Sequence, residues 1–333
     1  MQPLLCGIDI GGTKLAAGLV TPKGEIVRLR TTSDHTCMDE GCLMDLTADL
    51  VRGLCRDSNV ALTDLEGVAV GMAGHMRSHD GMVLTTSNLK GFKRYPLARE
   101  LSDRLGVRVI LENDANCQAW AEYKFGVGRG HDDMVFVTVS TGIGAGIIIN
   151  GKLYRGKTGT AGEIGHTIVD PNSDIVCTCG NRGCFMALAS TLNLDQIARK
   201  KSRRLANSRI FKLDSETGDT RDAIAYVKSD GDRLDGRQVM HHAKRGDPVA
   251  LEIINDYADY LGIMLYNIFQ IFNPSAIALG GGLMNWEFGY FERMKKKFHV
   301  LARDMMYDPV EIMKAEIGEA SGVLGAAALL LEK

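Results

Sequence analysis

Two stretches of the chain read alike, and together they restrict the fold more than any other feature. Residues 4–10 (Leu-Leu-Cys-Gly-Ile-Asp-Ile) form an apolar strand candidate, Gly11-Gly12-Thr13-Lys14 turns, and residues 15–20 return as a second strand. Residues 134–139 repeat the strand, Ser140-Thr141-Gly142-Ile143-Gly144-Ala145-Gly146 turns, and residues 147–150 return. Each is a β-hairpin with glycine rather than bulk at its tip. Two such hairpins, each opening one half, predict two copies of one α/β unit, and 333 residues are enough for both.

The segments between the hairpins fit that plan. Leu43, Leu46, Leu50 and Leu54 recur at helical spacing over residues 40–56. Residues 67–70 read as a buried strand ending at Gly71-Met72-Ala73-Gly74. Residues 97–105 read as a helix closed by Gly106, and 107–112 as a strand that delivers Asn113-Asp114. In the second half, Asp247 and Pro248 open a helix over 248–272 with Ile254, Tyr257, Leu261, Leu265 and Ile268 on one face. Asn273-Pro274 stops it. Residues 276–279 form a strand running into Gly280-Gly281-Gly282, and a small-residue helix over 320–332 closes the chain. Residues 213–234 are polar and show no periodicity.

Three glycine turns at strand ends point to a polyphosphate. Glycine lets backbone N–H groups approach phosphate oxygens closely. Thr13 and Lys14 add a hydroxyl and a charge, and Asp9 can hold Mg²⁺ directly or through water. One such turn is ordinary hairpin geometry. It is neither a Walker loop nor a Rossmann fingerprint, because no helix follows it. In combination, the turns at Gly11, Thr141-Gly142 and Gly281-Gly282 predict two jaws on a nucleotide, with the third turn approaching the nucleoside. Glu112-Asn113-Asp114-Ala115-Asn116 supplies a carboxylate at a strand end, suited to accept a proton from an alcohol. Asn113 brings a donor and an acceptor that suit a sugar hydroxyl, although Asn-Asp also suits a plain helix cap.

A metal signature lies in the second half. His166, Cys177, Cys179 and Cys184 fall within 19 residues, whereas Cys6, Cys37, Cys42, Cys55 and Cys117 have no paired spacing. A Cys3His set with no vacancy is the structural kind of zinc site; buried free thiols beside a core histidine are the alternative. Glu163, three residues before His166, would be fixed by the same metal. A net charge of −2 advertises neither nucleic acid nor an anionic membrane as partner. The first residues lack a basic, apolar leader and no run of about 18 apolar residues occurs, so a cytoplasmic protein without membrane association is expected.

These motifs, in this order, resemble the ROK (repressor, open reading frame, kinase) family of bacterial sugar kinases within the actin-like ATPase superfamily. The resemblance rests on residues 9–14, 112–116, 140–146, 162–166, 177–184 and 280–282 and covers nearly the whole chain. It implies an α/β fold of two actin-like (ribonuclease H-like) ATPase lobes around a central cleft, with a structural zinc site. The small lobe would span residues 1–115 and the large one 116–319, with helix 320–332 packing back onto the first. By matching position, Asp114 would be the base for a sugar hydroxyl, usually the 6-hydroxyl. Gly74, Asn88, Asn113, Glu163 and His166 would contact the sugar, with His166 also on zinc. Asp9, Gly11, Gly12, Thr13, Lys14, Thr141, Gly142, Gly281 and Gly282 would hold ATP and Mg²⁺. A homodimer or a dimer of dimers is expected.

The chain departs from the family in places. Cys184 is followed by Phe185-Met186 where the family runs Leu-Glu, and that glutamate is a sugar ligand in typical members. Methionine accepts hydrogen bonds poorly. Ala73 and Ser87 stand where proline is usual, and His75 either reaches the sugar pocket or faces solvent. A glucokinase is the first expectation. A kinase for fructose, allose, N-acetylglucosamine or N-acetylmannosamine is the alternative, followed by a catalytically weak sugar-binding protein. Family repressors carry an added helix-turn-helix, for which a phosphate turn starting at residue 9 is expected to leave no room.

Overall fold

The structure is a computed structural model that describes residues 3–33, 39–86, 89, 92–202 and 234–332. Ser87, Asn88 and residues 213–233 of the polar stretch lie outside the described residues. The first half runs β1 (Leu4–Ile10), β2 (Leu15–Val20), β3 (Ile26–Thr32), α1 (Glu40–Asp57), β4 (Leu65–Met72), β5 (His75–Arg77), β6 (Met82–Thr85), β7 (Lys93–Tyr95), α2 (Leu97–Leu105) and β8 (Val109–Asn113). The second runs α3 (Asp114–Phe125), β9 (Met134–Val139), β10 (Ile143–Ile149), β11 (Lys152–Leu153), α4 (Phe185–Ala189), α5 (Leu194–Ser202), α6 (Gly236–Lys244), α7 (Pro248–Phe272), β12 (Ala276–Gly280), α8 (Tyr290–Ala302), β13 (Glu311–Lys314) and α9 (Ser321–Leu329).

The duplication is visible in strand order. One sheet is β3-β2-β1-β4-β8 and the other β11-β10-β9-β12-β13, and the pairings match. In each, the first two pairs are antiparallel and the last two parallel. Parallel strands must be covered on both faces, and helices do this. α1 and α2 cover one face of the first sheet, and α4 to α8 one face of the second. The remaining face of each sheet meets the other across α3 and α9, in a core that joins Leu5, Ala16 and Ala69 to Phe136, Ile148 and Ala278. Contact is close: a Cβ on Gly7 of β1 would lie 2.0 Å from the Val323 carbonyl of α9.

Local chemistry explains the ends. Asp247 accepts from Val249 N and Ala250 N at the start of α7, and Asn273 ends the helix in the left-handed region at φ 43°. Gly106 closes α2 at φ 71°, as its position predicts. One expectation is corrected. The glycine run at 140–146 is a turn only to Gly142, while Gly144 and Gly146 lie inside β10. They are there because β10 crosses α3: a Cβ on Gly146 would come within 2.3 Å of Ala119 Cβ.

Candidate active site

Asp114 begins α3 directly after β8. Asn113 is the helix cap: its Oδ1 accepts from Ala115 N at 2.9 Å and Asn116 N at 3.2 Å. Its Nδ2 donates to Gly74 O at 3.0 Å, so one N–H remains for a ligand. Asn113 is therefore first a structural residue, which ties the Gly71–Gly74 loop to the strand end. Asp114 accepts from Ala115 N at 2.9 Å. It keeps a partly open edge, yet protein surrounds it on most sides; burial pushes its carboxyl up, its backbone hydrogen bonds oppose this, and Glu163 pushes it further.

Asp9 faces the same place from the end of β1. Burial, then the neighbouring Asp114 charge, push it up to about 6 against the opposing pull of Lys14. The start of α9 closes in on it: a Cβ on Gly322 would lie 2.5 Å from Asp9 Oδ2. Gly11 N bonds to Lys14 O at 2.9 Å, with Gly12 and Thr13 at the tip of the turn. Lys14 Nζ reaches Glu319 at 3.3 Å, an exposed pair of little energetic weight.

Glu163 arrives on a loop pressed onto β10. A Cβ on Gly162 would lie 2.2 Å from Ala145 O, and one on Gly165 2.3 Å from Ile143 O, so both positions need glycine for the loop to pass. Glu163 Oε1 lies 3.4 Å from His75 Nε2 and Oε2 lies 3.9 Å from His166 Nε2. His75 thus reaches Glu163 while remaining exposed to solvent. The other ring nitrogen of His166, Nδ1, lies 3.6 Å from Cys177 Sγ. The donor atoms of His166, Cys177, Cys179 and Cys184 all lie within 4.8 Å of one another. No disulfide joins the described cysteines. Burial and the neighbouring thiols push Cys184 up to about 12, a cost that a bound cation would relieve.

The two remaining glycine turns meet. Gly280 pairs with Thr138 across β12 and β9, and Gly281, at φ 91°, lies so close to Val139 that a Cβ would be 2.3 Å from its carbonyl. Gly282 faces the Ser140 side chain, next to Thr141 and Gly142. Met186 packs on this turn, its sulfur 3.2 Å from Ile143 N. Asp9, Asp114, Glu163, His166 and the cysteines are thus successive neighbours, and the turns at Ser140–Gly142 and Gly280–Gly282 lie against each other.

Sequence reasoning missed the surroundings of Glu112. This carboxylate is 2% exposed and pairs with Arg155 at 2.6 Å. A cavity of about 680 Å³ opens beside that pair, lined by Ser78, Trp120, Lys124 and Glu332 among others, and Asp114 is not in its wall.

A sequence profile of the ROK family matches residues 5–333. The chain is 31% identical over 332 residues to a glucokinase of Streptomyces coelicolor, spanning 99% of this chain and 98% of that relative. It is 32% identical over 322 residues to an N-acetylmannosamine kinase of Shigella boydii, spanning 97% and 96%. The crystal structure of a ROK family glucokinase from Streptomyces griseus in complex with glucose and AMPPNP superposes with a TM-score of 0.78 at 32% identity, over 99% of this chain and 100% of that one. The chain belongs to the ROK family.

Proposed function

We propose that this protein is an ATP-dependent sugar kinase that transfers the γ-phosphoryl group to a hexose hydroxyl, the 6-hydroxyl, with glucose as the first substrate. The observation that carries this reading is Asp114, a carboxylate raised by burial, standing at a helix start between Asp9 and Glu163. A carboxylate whose proton affinity is raised in this way holds an abstracted proton more firmly than an ordinary one. The hydroxyl oxygen attacks the γ-phosphorus, its proton passes to Asp114, and the bond to the β,γ-bridging oxygen breaks to leave ADP. Catalysis is then mainly positioning and charge neutralisation.

Each group has a part in this reading. Glu163, His166, Asn113, Gly74 and His75 line the sugar, joined by Asn88 on the strength of the resemblance. The turns at 11–14, 141–142 and 281–282 hold the nucleotide. Asp9 would hold Mg²⁺, which would neutralise phosphate charge when bound; two neighbouring, partly buried carboxylates are a fitting place for a divalent cation. Zinc suits the Cys3His cluster. A tetrahedron with bonds of about 2.3 Å has edges of about 3.8 Å, and the donors here are already gathered to within 4.8 Å. With Nδ1 of His166 turned to the cysteines, Nε2 is left for Glu163 and the sugar. The lobes 1–115 and 116–319 close on the sugar and exclude water. The protein acts in the cytoplasm as a homodimer or a dimer of dimers. No described helix is long and apolar enough to cross a membrane.

A specific observation favours a second reading. Met186 stands where an acidic sugar ligand is expected, and its sulfur faces Ile143 N. A sugar altered at the 2-position or anomeric end, such as N-acetylmannosamine, would then be preferred to glucose. A coupled ADP-release assay with Mg-ATP over glucose, mannose, fructose, allose, N-acetylglucosamine and N-acetylmannosamine, run on the natural protein and Met186→Glu, separates the two. Strong glucose turnover by the natural protein supports the first. Weak glucose turnover raised by Met186→Glu supports the second, and silence on every sugar in both proteins removes the kinase reading.

A further inference from the structure

Glu112 takes no part in the chemistry above, yet it is a fully buried carboxylate one residue from the cap of α3. Its Oε1 accepts from Ser78 Oγ at 3.1 Å, Asn113 N at 2.9 Å and Asn116 Nδ2 at 3.0 Å, and its Oε2 accepts from Arg155 Nε at 2.6 Å. Arg155 donates onward from Nη2 to Glu332 Oε2 at 2.7 Å. Burial alone would disfavour the Arg155 charge, but the carboxylates of Glu332 and Glu112 outweigh it and hold the guanidinium firmly protonated. The carbonyl of Arg155 accepts from Ala161 N at 3.2 Å, closing the loop that leads to Gly162-Glu163.

Three segments of the site are thereby tied to one ion chain. β8 ends in Asn113 and Asp114. The 155–161 loop delivers Glu163. Glu332 follows α9, whose first turn abuts Asp9. A buried ion pair is not in itself a good stabiliser, since apolar residues of equal volume often do as well. What such a pair supplies is fixed geometry, because Arg155 spans two carboxylates in directions set by its planar guanidinium.

We propose that Glu112 and Arg155, anchored by Glu332, are positioning residues that set the distance between Asp114 and Glu163, and so align the acceptor hydroxyl with the base. The proposal rests on the reading of Asp114 as the base. Glu112 and Arg155 stand outside the set of residues assigned above to the sugar and the nucleotide. They act through the Asn113 backbone on one side and the Glu163 loop on the other.

The test is steady-state kinetics and thermal melting of the full chain in four forms beside the natural protein. Glu112→Gln keeps Oε1 for Ser78, Asn113 and Asn116 but sets an amide N–H against the Arg155 donor. Arg155→Lys keeps the charge but spans only one carboxylate, and serves if Glu112→Gln does not fold. Glu332→Gln loosens the outer anchor. The pair Glu112→Gln with Arg155→Met removes both charges. We expect kcat to fall about 10- to 100-fold in the first two and about threefold in the third by the same principle, with the KM for ATP unchanged throughout. The paired variant should regain the melting temperature lost in Glu112→Gln but not its kcat. A kcat within twofold of the natural value in both Glu112→Gln and Arg155→Lys, or a kcat that recovers with the melting temperature in the paired variant, would show that the chain of charges serves only stability. A natural protein without sugar-dependent ADP release would remove the kinase reading and the proposal with it, a result distinct from either of those.

Discussion

The two halves share one strand order but carry opposite chemistry. Asp9 of β1 pairs with Gly71 of β4, and in the second sheet Thr138 of β9 pairs with Gly280 of β12 at the matching place. A carboxylate in one half is a neutral hydroxyl in the other. β8 delivers Asp114 straight into α3, whereas β13 ends at Lys314 and a six-residue link (315–320) precedes α9. The first half thus brings two acids to the junction. The second brings backbone turns, the Glu163 loop and the Cys3His cluster. One scaffold, used twice, is differentiated by what sits at its strand ends.

That asymmetry is open to attack. The largest expected effect is from Asp114→Asn, which should lower kcat about 10²- to 10⁴-fold with the fold intact by circular dichroism and a nearly unchanged ATP affinity. Asp9→Asn should cost about 10²-fold in kcat, while Thr138→Ala, its counterpart, should stay within about threefold by the same measure; equal losses would make the halves chemically alike. Asp9→Asn also carries a pH signature. The Asp9 carboxyl is raised from 3.8 to about 6, so the fold favours its neutral form. Its stabilising contribution is complete below about 4 and lost as pH rises through about 6. Without Mg²⁺, Asp9→Asn should therefore raise the melting temperature at pH 8 and leave it nearly unchanged at pH 4.

Metal removal comes next in size. Protein prepared without added metal should contain about one zinc per chain. Chelation should lower kcat/KM for the sugar about 10- to 100-fold and leave the KM for ATP in place, because the cluster orients His166 and Glu163 and not the glycine turns. A zinc-free protein of full activity would refute the site. His75→Ala is the mildest change. Loss of one partly exposed contact to Glu163 should raise the sugar KM about two- to tenfold, measured with saturating ATP. If only the ATP KM moves, His75 belongs to the other side of the cleft.

Much of the architecture can be read from residue order. Helix α7 runs Pro248–Phe272 as its cap, apolar face and terminator predict, and the ligand-type atoms of His166, Cys177, Cys179 and Cys184 gather as their spacing predicts. Local signals set these features. Strand β13, four residues long, and helix α8, interrupted by Lys295-Lys296-Lys297, carry too little pattern to announce themselves and are held by their neighbours. Gly144 and Gly146 looked like a turn because the reason for them, helix α3 crossing β10, lies elsewhere in the chain. The pair His241-His242 beside Lys244-Arg245 would suit a surface by composition; His241 is exposed, but His242 is buried. The Arg155–Glu332 bond joins residues 177 positions apart, and the His75–Glu163 contact spans the two halves. No sequence window contains either one. Asn113 shows the subtler case: the residue was legible, but its amide serves the cap and Gly74 before any sugar.

The measurement that bears most directly on the central claim counts products. Natural protein is incubated with Mg-ATP and each of glucose and N-acetylmannosamine, and ADP and sugar phosphate are quantified in the same quenched samples. The account predicts equal amounts of the two with at least one of these sugars, and neither above background when the sugar is omitted. ADP formed at the same rate with or without sugar, and no sugar phosphate, would contradict it and make the cleft that of an ATPase with some other purpose.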